Sequence, residues 1–324
     1  MARSHNLAGT ARCGKDERRF AMKALRRVGL FTLIISFLAI NLSYGQSVAE
    51  QNRTKGVQYA AQGKFKEAKE EFEKALKVDP FHGPAKRALK VIEDVIGQKI
   101  QSKTAIHLFK GISYDKGEHW GESVTEFNKA IDLDPSYAYL YYCRGIAYGK
   151  KGQYDKAISD YNKAIELKPR YAGAYMNRGL AYQVEGQYDK AISDFGKLIE
   201  LNPRDATAYR ARGRAYRFKG QYDRAISDYN KAIELDPGDA FTYVIRGLAY
   251  DIKGQYDKAI SDFSKAIELN PRYAMAYHFR GGAWYKKGDF DRASSDIKKA
   301  LSIKPTIKVS IPSTKLEAES KRKK

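Results

Sequence analysis

The chain has 324 residues, of which 59 are Lys or Arg and 38 are Asp or Glu, so its formal net charge is +21. Apolar residues make up 43% of the sequence, which is enough to build a core and excludes a wholly disordered polymer. The two cysteines, Cys13 and Cys143, exclude a disulfide-bonded scaffold and a four-thiolate zinc site. Apart from one run, the apolar residues are dispersed, which excludes a protein with several membrane spans.

The N-terminal region carries the single apolar run, which covers residues 28–42 and contains no charged residue. This length is short for a membrane-spanning helix, which needs about 20 residues, and fits the apolar region of a signal peptide better. Basic residues precede the run, and small residues after it favour cleavage following Gly45, with Ala49 as the second choice. We therefore predict a signal peptide over residues 1–45.

A signal peptide predicts a location outside the cytoplasm, either periplasmic or secreted after cleavage near Gly45. An uncleaved membrane anchor through residues 28–42 is the alternative. Counted from Met22, the basic segment before the apolar run has an ordinary length for a signal peptide. Residues 1–21 are therefore interpreted as an extension ahead of the true start.

A repeat of 34 residues dominates the rest of the chain. Prolines recur at this interval at Pro135, Pro169, Pro203, Pro237, Pro271 and Pro305. A fixed period of this length indicates stacked structural units rather than independent domains. It predicts a divergent first repeat over 49–82, an extra helix over 83–103, six contiguous repeats over 104–307 and a basic, flexible tail over 308–324.

Each repeat is predicted to form two helices, as the unit beginning at Ala138 illustrates. The first helix covers about residues 138–151 and ends before Gly152, a residue that tolerates the left-handed conformation. The second covers about residues 154–167 and is stopped by Pro169. Two such helices cannot bury their apolar faces alone, so stacked copies are required for stability.

The same unit resembles the tetratricopeptide repeat family in its period and in its residue types. The residues that carry the resemblance are Tyr141, Gly145, Tyr148, Gly152, Tyr154, Ala157, Tyr161, Ala164 and Pro169. The resemblance implies an all-α, right-handed superhelical solenoid of helix-turn-helix repeats with a concave groove in which peptides lie. The sequence departs from the family pattern at Gly196 and Leu198, inside the second helix of the repeat at 172–205.

Two columns of the repeats vary together, one in the first helix and one in the second. The first column is Lys55, Lys110, Arg144, Arg178, Arg212, Arg246 and Arg280, and the second is Glu71, Glu126, Asp160, Asp194, Asp228, Asp262 and Asp296. Every Arg accompanies an Asp and every Lys accompanies a Glu. This covariation predicts an ion pair between the two helices of each repeat, in preference to a row of arginines that binds a polyanion.

One face of each first helix varies between repeats, and it is predicted to point outward because the packing residues occupy the other face. In the resembled family this face lines the concave groove. The candidate partner-binding residues on it are the apolar Tyr139, Tyr142, Met176, Phe241 and Val244 and the basic Arg210, Arg214 and Arg217. Exposed apolar patches are typical of binding surfaces, and packing between adjacent repeats is the alternative. We expect the arginines to select acidic residues of a partner; a solvated helix face is the alternative.

Residue patterns typical of catalysis are missing from the sequence. No two histidines have a metal-ligand spacing such as HExxH, and the glycines follow the repeat period instead of forming a phosphate loop. The recurring serines have no base partner at a suitable spacing. We therefore expect no enzymatic activity, no metal and no cofactor.

These patterns favour an exported scaffold that binds a partner peptide or protein, with acidic and apolar residues, in the groove of its repeats. The alternative is a basic solenoid that binds an anionic envelope polymer or a lipid surface through its net charge. A cytoplasmic RNA-binding solenoid is the second alternative. Nucleic acid is disfavoured by the predicted export and by the predicted pairing of the arginine column.

Overall fold

A computed structural model describes residues 48–114 and 118–308, and over these residues it contains fifteen α-helices and no β-strand. The predicted signal peptide, the Gly45 cleavage site and residues 309–324 of the predicted tail lie outside the described residues. None of the described helices is both long enough and apolar enough to span a bilayer. The chain divides into two compact units, one ending at Asp134 and the other beginning at Pro135.

The first unit holds five helices within its described residues: α1 (Val48–Ala61), α2 (Phe65–Val78), α3 (Gly83–Ile96), α4 (Ser102–Tyr114) and α5 (Trp120–Leu133). Helix α1 packs against α2 and α4, α2 packs against α3, and α4 packs against α5. The Phe72 ring on α2 stacks on the Phe109 ring on α4, with 5.9 Å between their centroids. Two helix pairs therefore contact each other directly, although α3 separates them in the chain.

The second unit holds ten helices within its described residues. They are α6 (Ala138–Lys150), α7 (Tyr154–Leu167), α8 (Ala172–Val184), α9 (Tyr188–Leu201), α10 (Ala206–Phe218), α11 (Tyr222–Leu235), α12 (Ala240–Ile252), α13 (Tyr256–Leu269), α14 (Ala274–Lys287) and α15 (Phe290–Ile303). Each helix packs against the next one in the chain. The even-numbered helices are the first helices of the repeats, and the odd-numbered ones are the second helices. The all-α repeat solenoid predicted from the sequence is thus confirmed.

The two helices of each repeat approach closely at a glycine. In the repeat at 172–205, a Cβ atom built on Gly179 would lie 2.6 Å from Cε1 of Phe195, so no larger residue fits without a shift. The same contact joins Gly145 to Tyr161 and Gly213 to Tyr229. Packing, and not a special backbone angle, requires glycine at these positions, because they lie inside helices.

The predicted ion pair joins the two helices in all five repeats of the second unit. Each arginine donates from Nε and Nη2 to the two carboxylate oxygens of its aspartate, over distances of 2.6 to 2.9 Å; the pairs are Arg144–Asp160, Arg178–Asp194, Arg212–Asp228, Arg246–Asp262 and Arg280–Asp296. The aspartates are only 5 or 6% exposed. Hydrogen bonding to Asp160 raises the pKa of Arg144 above its ordinary value. These arginines are therefore structural, as the covariation predicted.

The first unit follows this rule in one repeat and departs from it in the other. Lys55 Nζ lies 3.3 Å from Glu71 Oε1, which confirms that predicted pair. The predicted Lys110–Glu126 pair is wrong within the described residues, since Glu126 instead contacts His107 Nδ1 at 2.7 Å and Lys129 Nζ at 2.6 Å. A histidine one turn earlier on α4 takes the place of the lysine.

Glycine residues of the repeat at 172–205 provide a matched test of the close contact between helices. We expect Gly179→Ala to lower the free energy of unfolding by about 1–3 kcal/mol, because the new methyl group overpacks against the Phe195 ring. Gly196→Ala is the control, since the nearest atom to its Cβ would be Arg212 Nη1 at 3.9 Å. There we expect a gain of about 1 kcal/mol from helix propensity. Urea unfolding measures both, and a loss of stability in both variants would contradict the account.

Candidate partner-binding site

The variable face of the second unit consists of four positions on each first helix. Its residues are Tyr139, Tyr142, Ile146, Gly149, Gly173, Met176, Leu180, Gln183, Thr207, Arg210, Arg214, Arg217, Phe241, Val244, Leu248, Asp251, Met275, His278, Gly282 and Tyr285. First helices of neighbouring repeats also contact each other, α6 with α8, α10 with α12 and α12 with α14. Part of the variable face is therefore covered by the next repeat.

Two of the predicted apolar anchors lie in such contacts and not on the surface. Tyr142 is 9% exposed, and its ring centroid lies 4.9 Å from that of Tyr171 at the start of the next repeat. Val244 is 2% exposed and packs in a core cluster that includes Phe263. The prediction that these two side chains point outward is wrong, because packing between adjacent repeats covers them.

The other three predicted apolar residues keep part of their surface exposed. Tyr139 is half-buried and stacks on Tyr142, with 5.9 Å between ring centroids. Met176 is half-buried against the core cluster of the repeat at 172–205. Phe241 is half-buried against a cluster that contains Tyr229. These side chains can each offer a partly exposed apolar surface to a partner.

Arg210 pairs with the carboxylate that caps the first helix of the next repeat. Its Nη1 donates to Asp239 Oδ2, and its guanidinium carbon lies 5.8 Å from the Phe241 ring centroid. Asp239 is also the residue that caps the N-terminus of α12, where it accepts from the Phe241 backbone N–H and from the Thr242 hydroxyl. The charge of Arg210 is thus already compensated.

Arg214 has no such compensation, although it is more deeply buried. The residue is 9% exposed, and within the described residues no carboxylate lies at ion-pair distance from its guanidinium and no hydrogen bond reaches it. Burial lowers the pKa of Arg214 to about 10, and the positive charges of Arg217 and Arg210 act in the same direction. It remains protonated at neutral pH, so the folded protein holds an unpaired cation below its surface.

Arg217 lies one turn after Arg214 on α10. Its guanidinium carbon is 4.7 Å from the Phe218 ring centroid, so the guanidinium makes a cation–π contact with that ring. Its Nε is enclosed and has no hydrogen bond of normal geometry. The hydroxyl of Tyr229, on α11, is likewise enclosed, and the side chain of Arg217 interacts with it. Its pKa is raised by burial, and the charges of Arg217 and Arg214 act against that rise. These groups therefore form one polar cluster on the variable face.

Three further polar groups on the variable face were not selected as site residues from the sequence. Gln183 Oε1, Asp251 Oδ1 and His278 Nδ1 are enclosed and have no hydrogen-bond partner in the described residues. Gln183 reaches Ala211 O through its Nε2 at 3.5 Å, and Asp251 Oδ2 pairs with Lys286. Burial lowers the pKa of His278, which favours its neutral ring. A sequence signal exists, since Gln183, Arg217 and Asp251 occupy one column at 34-residue intervals.

The unsatisfied atoms form a row across consecutive first helices, with acceptors on α8 and α12 and donors on α10 between them. Enclosed polar atoms without partners are rare, and each costs about 1–3 kcal/mol in a native structure. A buried charge without a counter-charge costs more. The variable face is therefore the place where the described repeats leave polar groups uncompensated.

Comparison with protein families agrees with this architecture. Models described as TPR repeat or tetratricopeptide repeat match residues 49–82, 112–152, 148–183, 176–240, 240–273 and 275–307, which together span more than half of the chain. The chain belongs to the tetratricopeptide repeat family. Comparison with curated proteins finds no match to its sequence.

Solved structures resemble this tetratricopeptide repeat protein. One is a tetratricopeptide repeat protein from Parabacteroides merdae, 22% identical, which covers 86% of this chain and 98% of its own, with a TM-score of 0.51. Another is MamA from Desulfovibrio magneticus RS-1, 23% identical, which covers 53% of this chain and 97% of its own, with a TM-score of 0.50. At these identities the likeness shows the fold.

Two arginines of α10 test the distinction between structural and uncompensated charge. We expect Arg214→Met to raise the free energy of unfolding by about 1–3 kcal/mol, because it removes a buried cation that has no counter-charge. Arg212→Met is the matched control on the same helix. It leaves Asp228 buried and unpaired, and we expect it to lower that free energy by about 3 kcal/mol. Thermal or urea unfolding measures both, and destabilisation by Arg214→Met would show that Arg214 is structural.

Proposed function

We propose that the protein is a protein–protein interaction scaffold and that the variable face of its second unit binds a segment of a partner protein. The observation that carries the proposal is the variable face itself, on which partly exposed apolar side chains lie beside polar groups that the fold leaves uncompensated. The glycine contacts and the arginine–aspartate pairs hold each repeat together without these groups. A partner segment that lies on this face would cover the apolar surface and supply a counter-charge to Arg214.

The partner segment in this proposal carries apolar and acidic residues. Tyr139, Met176 and Phe241 supply half-buried apolar surface on either side of the basic helix α10. Partly buried aromatic and Met side chains are the residue types that dominate the energy of protein interfaces. The basic residues between them would favour an acidic group over a basic one.

We also propose that this binding takes place outside the cytoplasm. The proposal is supported by the uncharged run at residues 28–42 and the small residues that follow it. A broad polyanion, such as nucleic acid or an envelope polymer, is less favoured, since the arginine column and Arg210 are paired with aspartates. These pairs remove the arginine column and Arg210 from the cations that could follow a chain of negative charges.

Site-specific photo-crosslinking in native cells tests the proposed function. A benzoylphenylalanine placed at Phe241 or at Met176 is expected to capture the same partner protein, because both positions line the proposed site. Placed at Ser193, an exposed position on the second helix α9, it serves as the control and is expected to capture nothing in common with them. Equal capture at all three positions would contradict the proposal. Mass spectrometry of the adducts identifies the partner and its compartment.

A further inference from the structure

Among the described residues of the second unit, Arg214 is the one cation that is both buried and without a counter-charge, and it lies on the middle helix of the variable face. We infer that the guanidinium of Arg214 binds the side-chain carboxylate of one Glu or Asp in an extended segment of a partner protein. This inference rests on the proposed function, because it names the group that the same site recognises. The sequence predicted that Arg210, Arg214 and Arg217 select acidic residues of a partner, and the inference assigns this role to Arg214.

The surroundings of Arg214 require an anion from outside the described residues. Arg210 and Arg217 flank it on α10 with like charge, and Tyr229 on α11 is the other group that acts on its charge. Asp239, which caps α12, is engaged by Arg210, and Asp251, near the end of α12, is engaged by Lys286. No group on α8, α10 or α12 within the described residues therefore neutralises Arg214.

The guanidinium of Arg214 is buried but not wholly enclosed. Arg214 is 9% exposed, and its nitrogens are not among the fully enclosed, unpartnered atoms of the described residues. A guanidinium presents a planar fork of donors. That fork matches the two oxygens of a carboxylate, which it binds through two parallel hydrogen bonds.

The charges around the pocket favour one negative charge over several. Asp239 and Asp251 offset the charges of Arg210 and Lys286, so these two cations add little positive charge to the site. A carboxylate carries a single charge, whereas a phosphate group carries more at neutral pH. The pocket is therefore better suited to a carboxylate than to a phosphate or to a row of phosphates.

The neighbouring side chains favour a peptide as the carrier of that carboxylate. Met176 on α8 and Phe241 on α12, the first helices of the repeats on either side, are half-buried and offer apolar surface. An extended peptide carries other side chains beside its acidic residue, so it can cover that apolar surface while its carboxylate binds Arg214. A small free anion cannot do this.

Selection of peptides on the full chain tests the inference. A library of random dodecapeptides, displayed as fusions that leave no free C-terminus, is panned on the wild-type protein and on Arg214→Met. Selected peptides are then synthesised with amidated C-termini. The wild-type protein is expected to enrich one acidic position, and exchanging that Glu or Asp for its amide is expected to weaken binding about tenfold or more. On Arg214→Met the same exchange is expected to change binding less than twofold.

Lys197→Met is the control variant, since it removes one exposed positive charge from α9 and should bind the peptides as the wild type does. Peptides that bind wild type and Arg214→Met equally, whatever their acidic content, would overturn the inference and leave the proposed function intact. If peptides lost binding only because their C-terminus was amidated, the carboxylate would belong to a chain terminus, and the inference would also be overturned. Failure of every selected peptide to compete with crosslinking at Phe241 would overturn the proposed function itself.

Discussion

The interaction on which the second unit depends is the arginine–aspartate pair inside each repeat. A glycine on the first helix lets an aromatic or aliphatic side chain of the second helix approach closely, and this brings an aspartate into the interior. A buried carboxylate is unfavourable unless it is paired and hydrogen-bonded, and the arginine of the first helix does both. The pair fixes the orientation of the first helix, so the residues of the variable face are those that remain after the pairing is complete.

The charged residues of the variable face fall into two groups, those that pair with a counter-charge and those that do not. Arg210 joins one repeat to the next through Asp239, and Lys286 does the same through Asp251, so both serve the stacking of repeats. Arg214 alone is buried without a counter-charge in the described residues, and Arg217 beside it keeps an unpartnered nitrogen. A cost of this kind at one position is what the proposed binding of a partner carboxylate would offset.

The fold and its ion pairs could be predicted from the sequence because the same unit recurs along the chain. Seven copies of one unit make the arginine and aspartate columns visible as covariation, and the structure confirms those pairs throughout the second unit. The burial of Tyr142 and Val244 could not be read, since it depends on how closely neighbouring first helices stack. The pairing of Arg210 with Asp239 could not be predicted from the sequence either, because that aspartate is also a helix cap. The role of the site residues in binding stays a prediction.

The measurement that tests the central claim most directly is the protonation of the arginine side chains in the free protein. Carbon-13 NMR of the guanidinium Cζ, recorded from pH 8 upward, separates Arg214 from the five arginines that are paired with aspartates. Without a counter-charge, Arg214 is expected to lose its proton near pH 10, while the paired arginines stay charged. If Arg214 stayed protonated up to the same pH as the paired arginines, the protein would already neutralise its charge internally, and no ligand carboxylate would be needed.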